Sequence, residues 1–369
     1  MDSPYSHELK VAFAAIQRAA EISRSVFAQV DLGVLKKDDL SPVTIADFAI
    51  QALLTATFHA AFPNDKFVGE ESAAELRENP VLLERVWSHL QQAAGGGGGG
   101  DADADGLCRI PESPEQACQM IDWCGSGVPG GVGTGRVWVF DPIDGTQNFV
   151  RGELYAINVA LLEDGKQVLS AVGCPNLSPD VTGPVMDNSL DPEGRGSIVF
   201  AVRGYGTHVR QLTGSLDEVS VRAIPRHAEE APTLRSVTCL NTLASGLEDV
   251  HIAAAELLQM PFPGCNLLPW VIRYVVMGLG LANTTFWVYN TRTRLAKAWD
   301  HAGAMLLFEE VGGKITDVDG RDIDLTAGRK MAANYGFVAA PKNLHGLVLR
   351  TLQDVIRQDG RIELIGSGA

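Results

Sequence analysis

Positive charge is scarce in this 369-residue chain: 30 Lys and Arg stand against 45 Asp and Glu, for a formal charge of −15. A protein that grips nucleic-acid polymers displaces counterions with a basic face. No such face is visible here, so polymer binding is not expected. Cysteine is thin as well. The six, Cys108, Cys118, Cys124, Cys174, Cys239 and Cys265, form no C-x-x-C pair and no even spacing, which argues against a disulfide frame or a zinc site and fits free thiols in a reducing compartment. Long apolar runs are missing too. The most apolar stretch, Cys265 to Tyr289, is interrupted by Pro269, Arg273, Gly278 and Gly280 and reads as buried core, not as a membrane span. Met1-Asp2-Ser3-Pro4 lacks the basic and apolar regions of a secretory leader. A cytoplasmic location is the default expectation, with the nucleus as the alternative.

What is present is the composition of a folded protein, 46% hydrophobic and 20% charged. At roughly 150 residues per domain the length suggests two domains. These are expected as an N-terminal α+β domain over 1–180 and a C-terminal α/β domain over 181–369. Helical spacing of Leu9, Phe13, Ile16, Ala20 and Phe27 predicts a first amphipathic helix, and Phe48, Ala52, Leu53 and Phe58 predict a second that starts near Ile45. Lys66-Phe67-Val68-Gly69 reads as a short strand. Residues 76–135 look less regular. Within them Gly95 to Gly100 followed by Asp101-Ala102-Asp103-Ala104-Asp105 marks a mobile insertion over about 93–107, because a glycine tract cannot recover its ordering entropy. Arg136 to Phe140 is a strand candidate. Tyr155 to Leu162 and Val168 to Gly173 flank Glu163-Asp164-Gly165-Lys166 as a hairpin. A helix is expected over His301 to Val311.

Three acidic clusters carry the chemistry: Glu70-Glu71, Asp141 with Asp144, and Asp300 after Trp299. Each sits where a strand or loop ends, the place from which a scaffold can aim side chains into a cleft. In Asp141-Pro142-Ile143-Asp144-Gly145-Thr146 the proline stiffens a turn, the two carboxylates can point to one place, and the Ile143 carbonyl is a third oxygen donor. Oxygen donors without histidine or thiolate suit Mg²⁺ better than Zn²⁺. Gly145-Thr146 then offers backbone N–H groups to a phosphate at the start of a helix. Bound divalent cations would also answer how so acidic a protein could hold an anion.

Val68-Gly69-Glu70-Glu71-Ser72, Trp138 to Thr146 and Trp299-Asp300-His301-Ala302, in that order, resemble the three motifs of the inositol monophosphatase-like, Mg²⁺-dependent, lithium-sensitive phosphatase superfamily. Within it the chain looks most like the 3′(2′),5′-bisphosphate nucleotidases, through Ser41 to Asp47, Gly173 to Leu177 and Ala201 to Gly206. The resemblance implies a layered αβαβα fold and a phosphoric monoester hydrolase of sulfur assimilation. Its implied substrate is the 3′-phosphate of adenosine 3′,5′-bisphosphate or of its sulfated form. It implies two to three Mg²⁺ ions: one on Glu70, Asp141 and the Ile143 carbonyl, a second on Asp141, Asp144 and Asp300, and a weaker third near Glu70. Asp47 would pair with Thr146 to position or deprotonate the attacking water.

The substrate side is expected at Gly145, Thr146, Gln147, Trp270 and Arg273. Here the chain departs from the nucleotidases. Gln147-Asn148-Phe149 replaces Lys-Gly-Phe, Asn241 to Gly246 replaces a Glu-Lys-Gly-His-Ser-Ser-like segment, and Pro269-Trp270-Val271-Ile272-Arg273-Tyr274 replaces Asp-Ser-Gln-Ala-Lys-Tyr. Arg273 could stand in for the phosphate-binding lysine. Two alternatives therefore stay open: the same chemistry on an inositol, sugar or specialised-metabolite phosphate, and a catalytically silent relative that binds a phosphorylated ligand.

Overall fold

The computed structural model describes residues 3–29, 33–36, 42–94, 106–130, 134–215, 219–226, 233–240 and 245–366. The glycine and aspartate tract at 95–105, Ser41 and Asn241 to Ala244 lie outside the described residues.

In chain order the elements are α1 (Ser6–Phe27), β1 (Leu35–Lys36), β2 (Pro42–Val43), α2 (Ile45–Ala61), β3 (Lys66–Gly69), α3 (Ala74–Glu78), α4 (Pro80–Ala94), α5 (Pro114–Gly125), β4 (Arg136–Asp144), α6 (Thr146–Arg151), β5 (Ala156–Glu163) and β6 (Lys166–Cys174). There follow β7 (Ser197–Val202), β8 (Gly206–Gln211), β9 (Val221–Ala223), β10 (Val237–Thr238), α7 (Glu248–Leu257), β11 (Cys265–Asn266), α8 (Trp270–Gly278), β12 (Thr285–Trp287), a 3₁₀ turn at Ala298–Asp300, α9 (Ala304–Glu310), β13 (Gly313–Thr316), β14 (Phe337–Pro341) and α10 (His345–Gln358).

The main sheet has the order β3-β4-β5-β6-β7-β8-β9, parallel only between β3 and β4. Three of its strands lie beyond residue 180. Side chains alternate across it as a strand's period of two requires. Trp138, Phe140, Ile157 and Val159 join α1, α2, α4 and α5 in one core, while Val137, Val139, Ala156 and Ala160 join α8 and α9 in a second. On the far side of α9 a smaller sheet, β12-β14-β13, is backed by α10, which packs on α7. Helices, sheet, helices, sheet and helices thus form five layers, the expected αβαβα architecture. No helix among the described residues is long and apolar enough to cross a membrane.

Local signals account for the element ends. Thr44 caps α2, accepting from Ala46 N at 3.2 Å, while Asp47 Oδ2 accepts from Thr44 N at 2.8 Å, a reciprocal capping box. Three differences from the sequence reading stand out. The stretch read as irregular holds α3, α4 and α5, with Ser113 capping α5. The Asp-Pro-Ile-Asp run does not form a free turn, because β4 continues through it and takes up the proline in a register shift. The helix expected from His301 starts at Ala304, since Gly303 adopts φ 84° and its missing Cβ would stand 2.7 Å from that of Ala160.

The first core depends on a cluster of rings: Phe58 is fully buried with ring centroids 4.3 Å from Trp138 and 5.2 Å from Phe140. Phe58→Ala should lower stability by about 3–5 kcal/mol, read as a fall in the urea midpoint. Ile362→Ala, at a position 66% exposed, should change stability by less than about 0.5 kcal/mol.

Candidate active site

Adjacent strand ends bring the first acids together. Gly69 of β3 pairs with Phe140 of β4 in parallel register, so the residues that follow, Glu70 and Asp141, come side by side. Asp141 in turn pairs with Asn158 of β5, whose Nδ2 donates to the carbonyls of Trp299 at 2.7 Å and Ala302 at 2.9 Å. Those two carbonyls bracket Asp300, so one buried amide fastens the distant 3₁₀ turn beside Asp141. The register shift after Asp141 redirects Asp144, whose Oδ2 accepts from Val271 N, in the first turn of α8, at 2.7 Å. As a result Asp141, Asp144 and Asp300 each offer an oxygen within 4.8 Å of the other two.

Asp141 and Asp144 are buried, and Asp300 is half-buried. Burial pushes the Asp144 carboxyl up to about 7, against hydrogen bonds from the Val271 and Trp270 backbone and the charge of Arg273, while Glu70 adds to the rise. Glu70, half-buried, is outside the three-oxygen group, but its charge is felt there. Three converging carboxylates, one of them resisting ionisation, with neither imidazole nor thiolate among the donors, fit a hard divalent cation.

Thr146 opens α6 behind Gly145, whose φ of 88° and whose missing Cβ, 2.5 Å from Pro269 Cγ, both require glycine. The Thr146 hydroxyl lies 3.4 Å from Asp47 Oδ1 and 3.2 Å from the Ile143 carbonyl. Asp47 Oδ2 accepts from both Thr44 N at 2.8 Å and Thr44 Oγ1 at 2.7 Å. Asp47, Ile143, Thr146 and the acids therefore meet, although 99 residues separate Asp47 from Thr146. Glu71 is buried, with its backbone N and O both bound by the Gln51 side chain.

The substrate side is arranged differently from the sequence reading. Gln147 is exposed, and Asn148 is buried, donating to Leu154 O at 2.9 Å and Asp187 Oδ1 at 2.7 Å. Arg273, expected on a phosphate, lies inside the fold with 1% exposure. It donates to the carbonyls of Leu267 at 2.8 Å and Leu268 at 3.0 Å, and its guanidinium stacks 4.1 Å from Trp270 and 4.9 Å from Trp287. Trp270 packs against Trp287, His301 and Phe337. His301 is fully buried and pushed down to about 3 by that burial, so it is neutral, with Nδ1 3.2 Å from the Tyr274 hydroxyl.

Thr44, Asn158 and the Val271 N–H hold the clustered residues in place, a role the sequence reading did not assign to them. Thr44-x-x-Asp47 had the spacing of a capping box, and Asn158 was a lone amide in the apolar strand Ala156 to Leu162. The Val271 contact is made by backbone and leaves no residue-type signal.

The raised Asp144 carboxyl fixes a pH dependence. Below about pH 4 it is protonated whether the chain is folded or not. As pH rises toward 7 the unfolded chain ionises while the folded site holds its proton, so metal-free stability falls across that window and the loss is complete above it. Added Mg²⁺ should therefore raise the melting temperature more at pH 8 than at pH 5.5. In EDTA at pH 8, Asp144→Asn should melt above wild type. Thermal scans in EDTA and in Mg²⁺ test both statements, and an Mg²⁺ effect of equal size at the two pH values would contradict them.

A profile of the Inositol monophosphatase family matches residues 125–357. The 3′(2′),5′-bisphosphate nucleotidase of Emericella nidulans is 33% identical over 362 residues, spanning 96% of this chain and 99% of its own. That of Schizosaccharomyces pombe is 32% identical over 368 residues, spanning 98% and 99%. Among solved structures, an inositol monophosphatase from Thermotoga maritima superposes with a TM-score of 0.57 at 16% identity, covering 95% of this chain and 99% of that one. At that identity the likeness speaks for the fold alone. With near-complete relatives above 30% identity and a profile match across the cluster that holds Asp141, Asp144, Thr146 and Asp300, the chain belongs to the inositol monophosphatase family.

Proposed function

We propose that this site hydrolyses a phosphate monoester with the help of bound magnesium, and that the ester is the 3′-phosphate of adenosine 3′,5′-bisphosphate. The observation that carries the reaction is the Thr146–Asp47 pair set beside three converging carboxylates. The choice of ester rests on the two bisphosphate nucleotidases that align with nearly the whole chain. Glu70, Asp141 and the Ile143 carbonyl would hold one ion and Asp141, Asp144 and Asp300 another, with a third beside Glu70. When bound, magnesium supplies Lewis acidity, which neutralises phosphoryl charge and acidifies water.

The chain's own residues do the rest. Thr44 grips Asp47 Oδ2 through two donors, which leaves Oδ1 turned toward Thr146. The Thr146 hydroxyl then aims a water at phosphorus for direct in-line attack and relays its proton to Asp47, while the P–O ester bond opposite breaks and the departing oxygen takes up a proton from solvent water. The amides of Gly145, Thr146 and Gln147, at the start of α6, receive the phosphate oxygens.

A second reading keeps this chemistry and changes the ester to an inositol or sugar phosphate. It is favoured by the apolar Pro269-Trp270-Val271 run and by the burial of Arg273, which remove side-chain donors from the substrate side.

Phosphate release from adenosine 3′,5′-bisphosphate, inositol 1-phosphate and a sugar phosphate, each with Mg²⁺ and with EDTA, tests both parts. Release only with Mg²⁺ is expected, with the bisphosphate preferred by kcat/KM. Equal rates in EDTA would end the metal reading, and no preference for the bisphosphate would hand the substrate to the second reading. Asp47→Asn should lower kcat by about 10²-fold or more and change KM by less than about threefold.

A further inference from the structure

We propose that Arg329 is a positioning residue that clasps the Glu70 loop to the Asp300 turn and so sets the spacing of the metal cage. The inference rests on the metal-dependent reading above. Arg329 lies in the segment before β14 and is half-buried. Its Nη2 donates to the carbonyls of Gly69 at 2.6 Å and Glu70 at 3.4 Å, and its Nη1 donates to those of Cys124 and Gly127, each at 3.0 Å. Four carbonyls from the end of β3 and the end of α5 thus converge on one guanidinium. Helix C-terminal carbonyls lack partners within the helix and favour a cation.

The same residue is tied to Asp300 from its other side. Its carbonyl accepts from Ala298 N at 2.9 Å, and Met331 N donates to Ala296 O at 3.0 Å, so residues 329–331 zip onto the chain that leads into the 3₁₀ turn. Its guanidinium also stacks 4.7 Å from the ring of Trp299, the neighbour of Asp300. Gly69 and Arg329 are 260 positions apart, and no helix or strand spans the two acids. The rigid fork joins them directly, in addition to the route through β4 and Asn158, and a lysine ammonium cannot reproduce its geometry. Arg329 hydrogen-bonds backbone carbonyls and stacks on an indole, which fixes where Glu70 and Asp300 stand, and its charge is also felt by Glu70 and Glu71.

Manganese binding to the metal-free full-length protein, followed by EPR, gives a readout independent of turnover. Arg329→Met should weaken Mn²⁺ binding by about 10–100-fold, the usual cost of losing a contact that orients metal ligands. The Mg²⁺ concentration for half-activation of phosphate release should rise in the same proportion, while KM at saturating Mg²⁺ changes by less than about threefold. Arg329→Lys keeps a stem over Trp299 without the fork and should recover only part of the affinity. A folded Arg329→Met variant with wild-type Mn²⁺ affinity would overturn the clasp, even if it melts at a lower temperature. If that variant does not fold, Arg329→Lys decides: undiminished Mn²⁺ affinity overturns the proposal and weakened binding supports it. Wild-type protein that binds no Mn²⁺ would instead remove the metal reading, and the clasp with it.

Discussion

Like charges must be brought together at this site against their own repulsion, and the surrounding structure is organised around making that convergence tolerable. Each acid removed from water loses hydration, and each neighbouring acid raises the cost further. The upward shift of Asp144 shows both effects at once. Flexible loops would relax such a group apart. Here the acids stand on the edges of a hydrogen-bonded sheet and on turns bolted to it, so the repulsion is opposed by the stiffness of two packed cores. In the proposed function, a bound divalent cation would relieve the repulsion that the fold maintains.

The contacts that hold the acids show how that stiffness is delivered. Register places Glu70 beside Asp141. A buried amide, Asn158, holds the carbonyls on both sides of Asp300. A backbone N–H at the head of α8 grips Asp144. A capping interaction that would be worth about 1 kcal/mol to α2 also orients Asp47 toward Thr146. Local stability and site geometry are therefore the same interactions in several places. The layers that carry them come from both cores, since α8 and the neighbours of Asp300, Ala298, Trp299 and Ala302, belong to one and α2 to the other.

Much of this was legible in the residues. The periodicities of α1 and α2, the β5–β6 hairpin and the grouping of acids at strand ends follow from local pattern, and local pattern survives into the fold. What was not legible depends on distant partners. Leu82, Val86, His89 and Leu90 do form a helical stripe in α4, but it is followed in sequence by a low-complexity tract that dominates the local composition. Arg273 looked like a phosphate ligand because its type and position suit one. Its fate is decided by Trp287, 14 residues on, and by two carbonyls of the preceding turn, which together enclose the guanidinium. Gly303 shifted the start of α9 because of Ala160, on a strand far away in the chain.

That contrast also separates reaction from recognition. The acids and the Thr146–Asp47 pair are held mainly by register, backbone groups and a few buried polar side chains, so neighbouring residues can change type while the cage keeps its shape. Recognition, in the proposed function, depends on what individual side chains present, and Pro269, Trp270 and Val271 offer no side-chain hydrogen bond where the nucleotidases carry polar residues. An apolar wall discriminates between esters only weakly, whereas a site built to hydrogen-bond its substrate rejects analogues strongly. Under the proposed function, selectivity for a second phosphate or a ribose would come from groups other than these three, and a chain that keeps the family's chemistry need not keep the family's discrimination between esters.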